Sequence, residues 1–130
     1  PLLETMGRDL HFLGGLSKGM ACKVLNNFVA ASSVVAVRQV LNEAIKLDVS
    51  PDQLLDVMKS SSGGTWFGDN FDAISWARED YDPANTIGIV EKDVNALLDA
   101  LKEVDVDDQA TGYMKTIRDR LSNLPLSPKR

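Results

Sequence analysis

From residue 14 to residue 47 the chain reads GGLSKGMACKVLNNFVAASSVVAVRQVLNEAIKL, with no Pro or Gly after Gly19. An apolar stretch of this length outruns a strand, so it predicts one long helix in spite of its valines. At 1.5 Å per residue that helix is roughly 45 Å long. Its middle, residues 28–37, is apolar or small on every side, the pattern of a helix buried in a core. Its first turns differ: Gly19, Lys23 and Asn27 recur at every fourth position and so share one face.

The remaining apolar positions also have helical period. Ser50-Pro51-Asp52-Gln53 predicts a helix start, with Ser50 as cap, Pro51 at the first helical position and Gln53 completing a capping box. Leu54, Leu55, Val57 and Met58 continue it until the serine-glycine run at 60–64. Thr65 can cap a further helix reaching to about Arg78, with Phe67, Phe71 and Ile74 on one side and Trp66 and Trp76 as packing or interface residues. Pro83 closes an acidic loop at 79–83, since the residue before a proline disfavours helix. Asn85 or Thr86 then starts a cleaner helix, whose stripe is Val90, Val94, Leu97, Leu98, Leu101 and Val104. Lys92 points almost opposite that stripe, as a solvated lysine does, and Asp93 sits at its edge in a structural position. Asp107 or Asp108 starts the last helix, with Ala110, Met114, Ile117 and Leu121 as its core face, and residues 124–130 read as a frayed tail. Ahead of the long helix, residues 1–13 read as extended or loosely turned, with a turn at Met6-Gly7 and a short strand at 11–13, and Gly14-Gly15 breaks the chain. The fold class expected is all-α: a single helical domain over 1–130, built around one long central helix of about 19–47.

Composition narrows the classes. The chain has 130 residues, 44% hydrophobic and 25% charged, ordinary for a globular domain with one core. A net charge of −5 without a basic cluster argues against nucleic acid or an anionic membrane surface as the main partner. No unbroken apolar run reaches membrane-spanning length. The single cysteine, Cys22, excludes an internal disulfide and fits a reducing intracellular compartment. The start at Pro1 instead of Met is expected for a chain processed or cut from a longer protein.

Two suggestive stretches do not carry chemistry on their own pattern. Ser60-Ser61-Ser62-Gly63-Gly64 lacks the G-x-x-x-x-G-K-[ST] pattern and has no strand before it, so a turn between helices is the better reading than a phosphate loop. Asp105-Val106-Asp107-Asp108 fails as a calcium loop, because Ala110 and Thr116 stand where Gly and Glu are needed. His11, the only histidine, has no cluster of His or Cys around it in sequence, so no metal site is expected.

Gly14, Gly19, Lys23, Asn26 and Asn27 stand where the β-hydroxyacid dehydrogenase family has its G-x-x-G-x-G-x-x-x-K-x-x-N-N motif, with Ser17 in place of the middle glycine. The chain resembles that family, which includes 3-hydroxyisobutyrate dehydrogenase and tartronate semialdehyde reductase. Lys92-Asp93 matches the family's K-D on a later helix, and Pro1-Leu2-Leu3-Glu4 with Met6-Gly7 looks like the family's entry into its second domain. The resemblance runs from residue 1 to about residue 101. It implies the helical C-terminal domain of the 6-phosphogluconate dehydrogenase type. The family's dinucleotide-binding Rossmann domain, with its G-x-G-x-x-G and its substrate-binding S-G-G, is absent from this chain. Ser62-Gly63-Gly64 is not that motif, since it follows Lys23 instead of preceding it.

What the resemblance implies is reversible oxidation of a small 2- or 3-hydroxy acid, with hydride passing to or from NAD or NADP in the full-length protein. Lys23 is then the acid–base residue, a task open to a lysine whose surroundings disfavour the ammonium. Asn27 is implied to bind the substrate oxygen and help orient Lys23, Gly19 to leave room for the substrate, and Lys92 to reach the cofactor from across the domain boundary. The serine-glycine turn is implied to lie near the substrate pocket. The isolated chain is not expected to bind the cofactor or turn over. Self-association, as a homodimer or higher oligomer, is expected both from the resemblance and from a helix too apolar for so small a domain to cover. Taken by pattern alone, Lys23 is an exposed lysine near a helix start. The alternative function is an interaction module that kept the dehydrogenase fold and lost catalysis; Lys23, Asn27 and Lys92 favour the enzyme. A helical bundle unrelated to the family is the third reading.

Overall fold

The computed structural model describes residues 16–128. The turn at Met6-Gly7, the strand at 11–13, His11 and the break at Gly14-Gly15 lie outside the described residues. Among those described, the fold is all-α as predicted. The elements in chain order are α1 (Leu16–Lys46), α2 (Pro51–Lys59), α3 (Trp66–Asp69), α4 (Thr86–Leu101) and α5 (Asp108–Ser122).

The 31-residue helix α1 is the axis of the domain and packs against each of the other four. Ala31, Val34, Val37 and Leu41 of α1 meet Leu55 of α2, Phe67 of α3, Ile87 and Val94 of α4, and Ile117 and Leu121 of α5 in one core. Each such Val, Leu, Ile or Phe side chain, withdrawn from water, stabilises the fold by about 1.5–3 kcal/mol before entropy is counted. The helix ends in a left-handed residue, Asp48 at φ 59°. Val49 N–H donates back to the Ala44 carbonyl at 2.9 Å and Asp48 N–H to Ile45 at 3.2 Å. This is the Schellman pattern, which satisfies carbonyls the last turn leaves open.

The middle of α1 is not buried on every side. Leu25, Val29 and Val40 are 49%, 64% and 40% exposed, and with the exposed Ala36 they fall on one stripe. The other four helices reach only one flank of α1, so the opposite flank faces solvent in the single chain. Over Lys18–Lys46 the helix is also long and apolar enough to cross a membrane by length and composition. Its inner flank, however, is part of the core and carries a fully buried arginine, Arg38.

Helix α2 begins at Pro51 as expected, yet the Ser50 side chain makes no cap hydrogen bond. The Ser50 carbonyl still takes the Leu54 N–H at 3.0 Å, so the helix starts through its backbone alone. The helix expected from Thr65 to about Arg78 is only α3, four residues long. Thr65 does cap it, accepting from Gly68 N–H at 2.9 Å. Asn70 stops it: its side-chain amide donates to the Trp66 carbonyl at 2.8 Å, a local bond of the kind that competes with helix continuation. The chain then proceeds in turns, Ala73 N–H to Asn70 and Ala77 N–H to Ile74. Even so, Phe67 and Phe71 are buried and Ile74 packs against the core, as their spacing predicts. Trp76 stacks on Phe67, with centroids 5.4 Å apart, whereas Trp66 is 65% exposed.

Helix α4 starts at the predicted place, where the Asn85 side chain accepts from Gly88 N–H at 3.2 Å. Val94, Leu97 and Leu98 of its stripe are buried, while Val104 lies beyond the helix and is 58% exposed. Helix α5 is capped by Asp107, which accepts from Ala110 N–H at 2.8 Å, and buries Ile117 and Leu121. The tail is not frayed through residue 128: Leu124 packs on the core, and the Pro125 carbonyl accepts from Arg38 Nη2 at 2.5 Å.

Candidate functional site

The first turns of α1 are its polar, open end. Gly19, Lys23 and Asn27 lie one turn apart on the same face. Lys23 is exposed, and no hydrogen bond or ion pair engages it among the described residues. Space beside Gly19 is open: a Cβ placed there meets no described atom within 4 Å. Asn27 is half-buried and tied across the domain, its Nδ2 donating to Asp93 Oδ2 of α4 at 2.9 Å. That bond joins residues 66 positions apart and brings the α1 motif and the Lys92-Asp93 pair into one region. Lys92 itself is exposed, as its position opposite the apolar stripe predicts.

Beside Asn27 an open groove of about 630 Å³ runs along α1. Asn26, Asn27, Val29, Ala30 and Ser33 form one wall; Gly64, Thr65 and Trp66 form the other. The serine-glycine turn is thus carried to the face of α1 that bears Asn27. It is a packed turn: Gly64 N–H donates to the Ser61 carbonyl at 3.2 Å, and a Cβ on Gly64 would lie 3.1 Å from the Met58 carbonyl. At the start of α3, Thr65 Oγ1 already accepts the Gly68 amide. The groove therefore offers polar side-chain atoms at the Asn26 and Asn27 end and an apolar floor at the Val29 and Trp66 end. It suits a small ligand with one polar head, or an apolar partner surface. A nicotinamide dinucleotide needs a seat for its pyrophosphate. The described residues do not form the Gly-rich turn and helix N-terminus that seat a pyrophosphate.

Two residues here carry more than their sequence pattern announces. Asp93 is structural in the sense predicted, but the atom it holds belongs to a candidate site residue. Its position at the stripe's edge was the available signal; the partner was not readable, because it comes from another helix. Arg38 is the larger surprise. It is fully buried, and its guanidinium donates to the carbonyls of Ala77 at 3.2 Å, Glu79 at 2.7 Å and Pro125 at 2.5 Å. Burial pushes its pKa down from the ordinary arginine value, and Asp80, 3.8 Å away, partly offsets this. Arg38 lies far from Lys23 along α1 and fixes the loops at the other end of the domain.

The family described as the NAD-binding domain of NADP-dependent 3-hydroxyisobutyrate dehydrogenase matches residues 17–123. The chain is similar to a probable mitochondrial 3-hydroxyisobutyrate dehydrogenase of Arabidopsis thaliana, 28% identical over 110 residues, covering 80% of this chain and 32% of that protein. It is similar to the mitochondrial 3-hydroxyisobutyrate dehydrogenase of Homo sapiens, 29% identical over 84 residues, or 65% of this chain and 25% of that protein. To the 3-hydroxyisobutyrate dehydrogenase of Pseudomonas aeruginosa it is 35% identical over 66 residues, 51% of this chain and 22% of that protein. The chain thus spans about a quarter to a third of the length of the curated relatives it matches. No solved structure matches it significantly.

Proposed function

The chain belongs to the family of the NAD-binding domain of NADP-dependent 3-hydroxyisobutyrate dehydrogenase, and from that premise we propose that it is the helical substrate-binding and dimerisation domain of an NAD(P)-dependent oxidoreductase acting on a small 2- or 3-hydroxy acid or its semialdehyde. The observation that carries the reading is the meeting of Asn27 and Asp93 at 2.9 Å, one turn from the exposed Lys23 and next to Lys92. The bond supports the reading because it ties the helix that carries Lys23 to the helix that carries Lys92.

In this reading NAD(P), when bound, supplies the hydride acceptor. Lys23 takes the proton of the substrate hydroxyl, Asn27 holds the hydroxyl oxygen, and Lys92 gives the cofactor a positive charge to lie against. A lysine exchanges protons at neutral pH only where its surroundings disfavour the ammonium. The cover proposed for Lys23 is a dinucleotide-binding Rossmann domain, as the family resemblance implies. The exposed stripe of Leu25, Val29 and Val40, with Trp66 across the groove, is the surface proposed for self-association. Trp76 is withdrawn from that role by its stacking on Phe67.

The same groove supports the second reading, an interaction module without catalysis, because its floor is apolar and open. One assay separates the two. The intact protein is presented with 3-hydroxyisobutyrate and related small hydroxy acids, with NAD and with NADP, and reduced cofactor is followed. Turnover with one member of the panel supports the enzyme. A folded, self-associating protein with no turnover on any member supports the interaction module.

A further inference from the structure

A small cavity of about 90 Å³ lies against the start of α2. Leu41, in its lining, stands roughly 20 Å along α1 from Asn27, so the cavity is separate from the groove described above. Its polar lining comes from three segments: Ser50 and Asp52 at the start of α2, Arg78 from the loop between α3 and α4, and Ser127 from the C-terminal segment. Two of these bring buried polar atoms that have no partner, Arg78 Nε and Ser127 Oγ. The rest of the Arg78 guanidinium is held in place. Its Nη2 lies 2.8 Å from Asp72 Oδ1, and its carbon lies 4.6 Å from the centroid of the Phe71 ring. At the helix start the Ser50 side chain makes no cap hydrogen bond, and the Asp52 N–H has no acceptor among the described residues. Donors out of water and without acceptors are costly, and backbone and guanidinium N–H groups can do nothing but donate. The uncommitted groups around this cavity thus call for an acceptor. The positive end of α2 and the Arg78 cation favour one that is negatively charged.

We propose that this cavity binds a small oxyanion of the phosphate class, held by Arg78 Nε, Ser127 Oγ and the free amide at the start of α2. The occupant joins three segments that are distant in the chain: α2, the loop that carries Arg78, and the C-terminal segment. It therefore stabilises the fold at the end of the domain away from Asn27. The volume admits one phosphate group, so a larger ligand keeps the rest of its body outside. Asp52 is the one carboxylate in the lining, and its charge opposes the anion. Nothing in this proposal rests on the dehydrogenase reading.

The test is a calorimetric titration and a thermal melt of the intact protein. The probes are inorganic phosphate and glycerol 3-phosphate, against sodium chloride at matched ionic strength. Binding should saturate and should raise the melting temperature above that in chloride. S127A is the decisive variant. Its hydroxyl has no partner within the chain, so its loss should leave the melting temperature in chloride unchanged or raised. The same change should weaken phosphate binding about tenfold, the size of one hydrogen bond to a charged group. R78K keeps a positive charge but lacks the Nε donor, and should weaken binding at least as much; should it fail to fold, S127A still decides. D52N removes the opposing charge and should tighten binding several-fold. Equal binding of the monoester and the ion supports the proposal, with the phosphate of a small metabolite as the source. Binding of inorganic phosphate alone supports it with the free ion as the source. No saturable binding overturns the proposal and leaves the cavity to water. A rise in melting temperature that is the same in S127A also overturns it, as the general effect of phosphate salts excluded from protein surfaces. So does a D52N variant that binds no more tightly, because Asp52 would then not face the anion.

Discussion

Arg38 donates from Nη1 to the Glu79 carbonyl at 2.7 Å, from a side chain with no exposure to solvent. The two residues come from the central helix and from the loop before α4. The same guanidinium reaches Ala77 and Pro125, so one cation replaces the secondary structure that residues 77–80 and the C-terminal segment lack. Buried carbonyls need donors, and a planar five-donor group meets several at once. Arg38→Ala should therefore cost about 3–5 kcal/mol, since it leaves the buried Ala77 acceptor and two part-buried ones unpaired and opens a cavity. Arg38→Lys should rescue little, because an ammonium cannot span the three carbonyls in one plane. Chemical denaturation followed by circular dichroism measures both. A cost under about 1 kcal/mol for either variant would show that water replaces the guanidinium.

Gly88 tests the start of α4. A Cβ there would lie 2.4 Å from the Asp82 carbonyl oxygen and 2.5 Å from that of Pro83, both backbone atoms that cannot swing aside. The helix N-terminus is thus pressed onto the acidic loop, with Asn85 capping Gly88 N–H. Gly88→Ala removes an unfavourable helix residue yet should destabilise by about 1–3 kcal/mol through overpacking. The sign decides the matter: a stabilised variant would mean that the loop moves freely away from the helix.

Tyr81 supplies a pH dependence. Burial, then its hydrogen bond to Glu91 Oε1 at 3.0 Å and the charge of that carboxylate, raise the phenol above its ordinary value of 10.0. The folded state thus holds this proton more tightly than the unfolded chain does. Its contribution to stability is whole below about pH 10, the ordinary phenol value, and is lost as pH rises through the folded value. Ultraviolet titration of the phenolate band should show a transition above that of a free phenol, absent in Tyr81→Phe. Glu91→Gln should move it only part of the way back, since desolvation is the larger cause. A Tyr81 transition at the free-phenol position would contradict the contact.

Periodicity made the helices legible where one face decides burial. The positions of α1, α4 and α5, their caps at Asn85 and Asp107, and the core set of Val94, Leu97, Ile117 and Leu121 all follow from spacing. Spacing failed where polar side chains bond locally. Asn70 ends α3 after four residues, although Phe67, Phe71 and Ile74 continue the helical period. It also failed for Arg38, because a charged residue in an apolar run reads as surface, and its compensating carbonyls lie 39 to 87 residues away. At the candidate site the α1 register was visible as Gly19, Lys23 and Asn27. The bond from Asn27 to Asp93 was not, since nothing in either helix alone points to the other.

The catalytic assignment stands or falls on Lys23. It is exposed and unengaged among the described residues, so removing its side chain breaks no contact of the fold. Lys23→Ala in the intact enzyme should lower kcat by roughly 10²- to 10⁴-fold, the usual size of an acid–base contribution, with the melting temperature unchanged. Lys23→Arg should not restore activity, because a guanidinium keeps its proton at neutral pH. Asn27→Ala should cost less in kcat and also raise KM for the hydroxy acid, as befits a residue that binds and orients. Lys92→Ala should act mainly on cofactor affinity, which separates a charge lying against the dinucleotide from one that exchanges the substrate proton. These four responses form a pattern that no loss of stability reproduces, since exposed Lys23 and Lys92 would then behave alike. Near-normal kcat in folded Lys23→Ala would remove the proton-transfer role and leave the open groove beside Asn27 as the domain's working surface, an interface in place of an active site.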